Sequence, residues 1–577
     1  MDFHKGSLII LVPLLTAFGC GDSGSVERIN GTSGRVNELS IERFSSSPLT
    51  ALARFSTDTP SKIRITTLGQ DGEDLTQSFD EYATKHEIPV LGLYPDFRNT
   101  VLLSLESRNG NIAVDTILIS TRPLPFRYRN LPLVAIRSGS APLAPGFFLL
   151  LLSKEFGGSR EEGMFLAVDN FGKIRWVYTG DYWFLGKMSA PGKLVVQLPS
   201  VLKRLRKTYN LIVERLLALT GWHSVFRHLY WGIEDTHTPE LIRRQQESPS
   251  RSLQARVAEW LPRSLGDHNA LQEIDLLGRA GRSWKAEGHS IHHDFIFLPN
   301  GNLLALASTF SSDEDLIIEI GSQSGTIDRV IDLKEVLDVK RPQMPRHLHD
   351  PDWLHANALF YDEQDSTIVI SARNQSAVVK LTLDSLKIRW IMGSHEKWAS
   401  PYRRYLLEPI GKDFSWQWGQ HAPILSPQDP NRMLVYDNGN QRSYDSPMSP
   451  ESSFSRAVEY EIDDTAGTVR QTWEFGGEYG SELYTPIVGN AEYVSNGNRL
   501  ICFGAIPRDL NGRVVEWVEL APDSLRIKNR SVKSSARIFE TTGEANPKTL
   551  FELRIEDGDR NTYVGYLVYR AHKIFLY

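Results

Sequence analysis

Between Val36 and Arg122 apolar and polar residues alternate in short runs: Leu52-Ala53-Arg54-Phe55-Ser56, Lys62-Ile63-Arg64-Ile65-Thr66, Thr100-Val101-Leu102-Leu103-Ser104-Leu105 and Ala113-Val114-Asp115-Thr116-Ile117-Leu118-Ile119. Gly, Asp and Pro separate the runs. A period of two means that one face of each segment is buried and the other wetted, so the pattern predicts a small all-β sandwich over 36–122. Pro123-Leu124-Pro125 marks its end.

The rest of the chain, 131–577, repeats itself. His292 is followed at two residues by Asp294 and at six by Leu298, which leads into the turn Pro299-Asn300-Gly301-Asn302. His355, Asn357 and Tyr361 stand in the same relation, as do Val488, Asn490 and Val494, with His421 between them ahead of the strand Met433-Leu434-Val435-Tyr436. Successive starts at His292, His355, His421 and Val488 lie 63, 66 and 67 residues apart. A second unit recurs, an apolar strand, an acidic turn, a Trp strand and a closing Gly: Asp169 to Trp176 and Gly180, Asp275 to Trp284 and Gly288, Asp384 to Trp390 and Gly393, Asp463 to Trp473 and Gly476. Each reads as a hairpin. Several hairpins per period describe four-stranded blades that cannot bury both faces alone, which predicts an all-β, six-bladed β-propeller over 131–577, after the N-terminal sandwich.

One stretch breaks the β pattern. Over 201–268, Leu202, Leu205, Tyr209, Ile212, Leu216 and Leu219 step by three and four, while Lys203, Arg204, Arg206, Lys207 and Arg215 take the other face, so a basic amphipathic helical insertion is expected. It reads as a helical excursion with a solvated charged face, or as a contact with anionic lipid or a lid. At the N-terminus, His4 and Lys5 precede the apolar run Leu8 to Leu15, which is shorter than the ~20 residues a membrane-spanning helix needs. Residues 1–20 therefore read as an export signal. The small residues before Cys20 and the polar Gly21-Asp22-Ser23-Gly24-Ser25 after it resemble a bacterial lipobox, which makes Cys20 the expected lipidation site and the periplasm, or the membrane face bordering it, the expected location.

Composition narrows the classes. With 577 residues, 41% hydrophobic and 23% charged, the chain can bury a large core and is neither disordered nor polytopic. Lys and Arg number 64 against 70 Asp and Glu, a net charge of −6, which argues against a nucleic-acid partner. The two cysteines, Cys20 and Cys502, leave no disulfide framework, and Cys502 reads as a core residue of a strand.

The chemistry-bearing residues fall at matched repeat positions. His292, His355 and His421 come from three blades, with Asn357 and Arg373 in the blade of the second, and repeat symmetry would gather them at one channel. A guanidinium never deprotonates and offers a planar fork of donors to a sulfate or phosphate oxygen pair. Imidazoles beside it can attack or donate a proton near neutral pH.

From Asn37 to Tyr577 the chain resembles the bacterial arylsulfate sulfotransferases, exported enzymes independent of the cofactor PAPS. The blocks that carry the resemblance are Ile88-Pro89-Val90-Leu91-Gly92-Leu93-Tyr94-Pro95, His292-His293-Asp294, Asp352-Trp353-Leu354-His355-Ala356-Asn357, Ser371-Ala372-Arg373-Asn374-Gln375-Ser376-Ala377, Trp418-Gly419-Gln420-His421, Asp437-Asn438-Gly439 and Ser455-Arg456-Ala457-Val458-Glu459-Tyr460. The resemblance implies an N-terminal β-sandwich on a six-bladed propeller, no cofactor, small phenolic donors and acceptors, a homodimer, and ping-pong transfer of a sulfuryl group. It implies that His421 is the nucleophile, that His355 and Asn357 contact the ester, with His355 as the acid, that Arg373 binds sulfate, and that His292 or His293 is a further channel histidine. Repeat register, counted from the strand-leading apolar residue, favours His292. Val488 stands where the family often has a hydroxyl residue, and the stretch Tyr402 to Gln417 has no cysteine for the disulfide of some members.

Two other classes compete. The same histidines could be ligands of a metal-dependent propeller enzyme, with Asp294 the only evident carboxylate and Arg373 opposing a cation. A propeller can also be a non-catalytic binding platform. His289, His347, His349 and His395, outside the repeat register, read as structural, and Trp416, Trp418 and Tyr484 as core or as an aromatic acceptor wall.

Overall fold

The computed structural model describes residues 26–29, 36–70, 73–156, 159–180, 182, 185–199, 269–309, 312–344, 352–509, 511–515, 532–559 and 564–577. Cys20 with the export segment, the insertion 201–268, His347 and His349 lie outside the described residues. By internal contact the chain divides into Met1–Arg122 and Pro123–Tyr577. Both are built almost entirely of strands; the described helices are single short turns such as Phe126–Arg129 and Ser400–Arg403.

In the first unit six strands share one hydrogen-bonded sheet. The Ala51–Thr67 strand carries it: residues 51–57 pair with Val36–Arg43, residues 61–67 pair with Arg98–Ser107, and Leu75–Val90 runs along its other edge. What the sequence offers as two strands, one around Phe55 and one around Ile63, is a single long one. Pro60 lies between them, where the ladder register breaks from Ser56 to Ser61, so its missing N–H removes no ladder bond. Along Arg98–Ser107 the burial alternates strictly, with Val101, Leu103 and Leu105 inside, as the period-two pattern requires.

In the second unit the described strands form six sheets of four or five. The fourth sheet shows the plan, with Ala356–Asp362, Thr367–Ala372, Ala377–Thr382 and Ile388–Gly393 paired antiparallel in that order. The second sheet opens with Gly186–Ala190, the third with Ser290–Phe297, the fifth with His421–Leu425 and the sixth with Asn490–Tyr493. In the second sheet, Lys193–Gln197 and Ala270–Asp275 pair directly, so the chain leaves for the insertion and returns within one hairpin. The first sheet is completed by the late strand Val564–Ile574, antiparallel to Phe147–Phe156, and the sixth takes Leu133–Arg137 onto its far edge. The chain thus closes twice across its own ends.

Neighbouring sheets lie face to face because their central strands are apolar on both sides. All six residues of Thr367–Ala372 are buried. Ile368 and Ile370 pack with Leu304, Leu306 and Ile317 of the third sheet, whereas Val369 packs with Met433 and Val435 of the fifth. Each such side chain contributes about 1.5–3 kcal/mol of transfer free energy, available only when both neighbours are present. The recurrent hairpins fall at the third and fourth strands. Asp169, Asp275 and Asp463 cap their turns by accepting backbone N–H groups of Lys173 (2.9 Å), Arg279 (2.8 Å) and Thr465 (3.0 Å), and Trp176, Trp284, Trp390 and Trp473 are all buried.

The opening strands touch one another in sequence: Ser290–Phe297 against Ala356–Asp362, that against His421–Leu425, that against Asn490–Tyr493, and that against Val564–Ile574. Among the described residues no helix is long and apolar enough to cross a membrane.

Candidate active site

Within or shortly before four opening strands the backbone turns left-handed at a residue that is not glycine: His293 (φ 50°), His355 (φ 50°), Ala422 (φ 48°) and Val488 (φ 55°). Such a conformation is uncommon, and for the β-branched Val488 it is an outlier. In three of these strands the ladder also slips, between Ile291 and Phe295, between Ala356 and Ala358, and between His421 and Ile424. Extra residues in a bulge re-aim side chains that strict alternation would send elsewhere.

His421 is the most enclosed of the histidines in this cluster, 4% exposed. It is placed by the turn before it. Trp418 donates its backbone N–H to Asp437 Oδ1 at 2.9 Å, Gly419 donates to Ser376 Oγ at 3.2 Å, and the Gln420 amide donates to Ser371 Oγ at 3.1 Å and to the Ala377 carbonyl at 2.9 Å. Gly419 has φ 62°, and a Cβ there would collide with the Asn440 side chain, so only glycine fits. Asp437 is itself fully buried and held by Arg442 at 3.1 Å and Arg456 at 2.9 Å. The Nδ1 of His421 lies 2.7 Å from Asn438 Oδ1. Burial, foremost, and then the positive charge of Arg373 push the His421 pKa well below the usual imidazole value; Asn438 opposes this weakly, and His293 and His355 add to it. His421 is therefore neutral at physiological pH.

Arg373, 3% exposed, follows the Thr367–Ala372 strand. Its guanidinium donates to Asn374 Oδ1 at 3.1 Å and to the Pro486 carbonyl at 3.3 Å. The loop it begins is stapled to the segment before His355: Arg373 N–H to the His355 carbonyl at 3.2 Å, Asn374 N–H to that of Leu354 at 3.1 Å, the Asn374 amide to that of Asp352 at 2.6 Å, and the Gln375 amide to that of Trp353 at 2.8 Å. Arg373 and His355 are thus parts of one rigid unit.

His355 is held differently from His421. Asp352 accepts its backbone N–H at 2.9 Å and forms a short contact with its Nδ1. A carboxylate partner favours the imidazolium more strongly than a neutral amide oxygen does. Asn357, fully buried, donates its amide to the Gln420 carbonyl at 2.9 Å, which ties it to the residue before His421, while its Oδ1 is buried without a hydrogen-bond partner.

Of the two adjacent histidines, His293 is the one whose ring packs on His355, at 4.7 Å between centroids. It also reaches Tyr569, whose hydroxyl donates to the His293 carbonyl at 2.8 Å. His292, which the sequence register favoured, bonds Nδ1 to Nδ1 with His293 at 2.9 Å, ring edge to ring face. The reason is the bulge between Ile291 and Phe295, which puts more residues on this strand than counting back from Leu298 allows for.

Asp294 is buried and bridges Arg570 at 3.0 Å and Lys187 at 3.5 Å. Burial alone would raise its pKa, but the two cations more than offset that, and it stays ionised. Arg570 also donates to the Asn357 carbonyl at 3.2 Å, so the late strand braces the site. Sequence reasoning missed Asn438, Asp352, Arg570 and Tyr569 as contributors. Asp352, three residues before His355, carried the one local signal.

Among the described residues no group of three or more His, Cys, Asp or Glu side chains is placed to hold a metal ion. The one carboxylate beside the channel histidines in sequence, Asp294, is engaged by two cations. Of the aromatic candidates, Trp418 packs on Tyr444, Trp416 on Phe414 and His395, and Tyr484 is buried.

The arylsulfotransferase family profile matches residues 143–566, and the arylsulfotransferase Ig-like domain matches residues 40–122. The chain belongs to the arylsulfotransferase family and is accordingly an aryl sulfate sulfotransferase enzyme. It is 24% identical over 553 residues to the arylsulfate sulfotransferase of Escherichia coli strain CFT073, covering 82% of this chain and 85% of the relative. It is 23% identical over 560 residues to the arylsulfate sulfotransferase of Lelliottia amnigena, with the same coverage. A solved periplasmic gluconolactonase of Pseudomonas aeruginosa is 10% identical at a TM-score of 0.30, covering 75% of this chain and all of that one.

Proposed function

We propose that the protein moves a sulfuryl group from a phenolic sulfate ester to a second phenol in two half-reactions, with His421 as the relay. The observation that carries this is a buried, neutral imidazole beside a buried guanidinium, Arg373, and opposite a second imidazole backed by a carboxylate. The lone pair of Nε2 attacks sulfur, the bond from sulfur to the phenolic oxygen breaks, and its electron pair leaves with that oxygen. His355, held by Asp352, gives the departing oxygen a proton. Arg373 balances charge on the sulfuryl oxygens, and Asn357, tied through its amide to the residue before His421, contacts the ester. In the second half-reaction His355 takes the acceptor's proton, the acceptor oxygen attacks sulfur, and His421 is released. Of the channel pair, His293 is the second-imidazole neighbour, with His292 supporting it.

In this reading the six sheets stand radially as the blades of a propeller whose opening strands line the channel, in keeping with their contact order. Domain limits of 36–122 and 131–577 follow from it, and residues 1–20 export the chain to the periplasmic side, where Cys20 carries a lipid.

The test uses 4-nitrophenyl sulfate. Nitrophenolate release is expected to depend on added phenol, and donor alone is expected to leave one sulfo group on the peptide containing His421. Release that ignores phenol, together with an unmodified peptide, would reject the proposal. The Asp352–His355 pair adds a sharper expectation: Asp352→Asn lowers turnover of phenyl sulfate by about 10²-fold, within the usual range for general acid catalysis, and that of 4-nitrophenyl sulfate far less. A poor leaving group needs the proton and a good one does not. Equal losses for both donors would remove His355 from the acid role.

A further inference from the structure

The site contains two imidazoles whose Nδ1 atoms meet chemically opposite partners, and the partner of His421 has its own orientation fixed. The Asn438 side chain lies between the fifth and sixth sheets. Its Nδ2 donates to two main-chain carbonyls, Thr485 at 2.7 Å and Val488 at 2.9 Å. A carbonyl can only accept, so the nitrogen of the amide must face those two atoms and the oxygen must face His421. The left-handed backbone at Val488 and Gly489, φ 55° and 92°, accompanies the placement of that second carbonyl. Asn438 is buried, so rotation of its side-chain amide would strand the Thr485 and Val488 carbonyls and the His421 Nδ1 at once.

We infer that Asn438 is a positioning residue that fixes the tautomer of His421, keeping the proton on Nδ1 and the lone pair on Nε2. An amide oxygen accepts that proton's hydrogen bond but cannot take the proton. Nδ1–H therefore persists when Nε2 bonds to sulfur, and the sulfated ring keeps a positive charge, which makes it a better leaving group for the second half-reaction. A carboxylate at this position would also hold Nδ1–H, but its negative charge would stabilise the imidazolium of the free enzyme far more and so consume the nucleophile. The titratable and charged groups that act on the ring are Arg373, His293 and His355, all of which disfavour its protonation. Asn438 opposes them only as a neutral acceptor, without adding charge.

This inference rests on His421 being the nucleophile, and the experiment separates the two. The resonances missing from the His421→Gln variant identify the ring in a 15N-histidine spectrum of the intact protein. Nδ1 is expected at the protonated shift and Nε2 at the unprotonated shift near pH 7, and sulfation is expected on Nε2. A proton on Nε2 in the free enzyme would overturn the inference whether or not the adduct forms, whereas the expected tautomer with no adduct would overturn only the assignment of His421 as nucleophile. Asn438→Asp gives a second reading: the acid limb of kcat/KM, expected well below pH 6.5 in the parent, should move up by about 1 to 3 pH units, the usual reach of an adjacent opposite charge. A folded Asn438→Asp protein, judged by an unchanged unfolding temperature, whose acid limb stays in place would also overturn it. Should that variant fail to fold, the spectrum of the parent decides alone.

Discussion

His421→Ala is expected to lower sulfuryl transfer by at least about 10³-fold, the scale on which enzymes lose activity when a covalent nucleophile is deleted. The loss should appear in kcat and in kcat/KM together, because in this reading His421 itself forms the bond to sulfur. The fold should survive. The turn before His421 is held by Asp437, Ser376, Ser371 and Ala377 through residues 418–420, none of which needs the imidazole. Circular dichroism and unfolding temperature check this, and the sulfo adduct should disappear with the activity. Residual transfer within tenfold of the parent, in a folded protein, would mean that the sulfuryl group passes directly between donor and acceptor.

Arg373→Ala should have the next largest effect, a fall of about 10² to 10³ in kcat, as for the removal of one charge-stabilising donor from other enzymes. Charge on the sulfuryl oxygens is present in the ester and in the transition state, so KM should rise as well. Arg373→Lys should recover only part of the loss, since an ammonium keeps the charge without the planar fork. The pH dependence gives an independent signature. Arg373 helps to hold the His421 pKa down, so removing it should move the acid limb of the rate profile towards neutrality. If kcat falls while the limb stays fixed, the arginine does not act on the nucleophile.

Much of this molecule can be read from its residues because β repeats write themselves locally. Asp169, Asp275 and Asp463 are hairpin caps, and the four buried tryptophans mark the strands that follow; both depend on neighbours a few residues away, so period and turn chemistry expose them. His355 and His421 stand out for the same reason, at matched places in successive repeats. Asn438 does not, because its role comes from two carbonyls 47 and 50 residues further on. Arg570 is legible only once the late strand is known to pair with Phe147–Phe156. The choice between His292 and His293 falls at a bulge, where two extra residues shift the register by which positions are matched. Pro60 misleads in the opposite direction: a residue that usually ends strands lies inside one, at the break where the ladder makes no demand on it.

The twofold closure of the second unit has a consequence in time. Tyr569 and Arg570, which touch His293, Asp294 and Asn357, lie on a strand that emerges from the ribosome some four hundred residues after the partner it pairs with. On the proposed assignment, a growing chain can hold His421 and Arg373 and still lack the brace that aligns their neighbours. Competence would then arrive only when that last strand is paired, and the enzyme would be inert throughout its own manufacture.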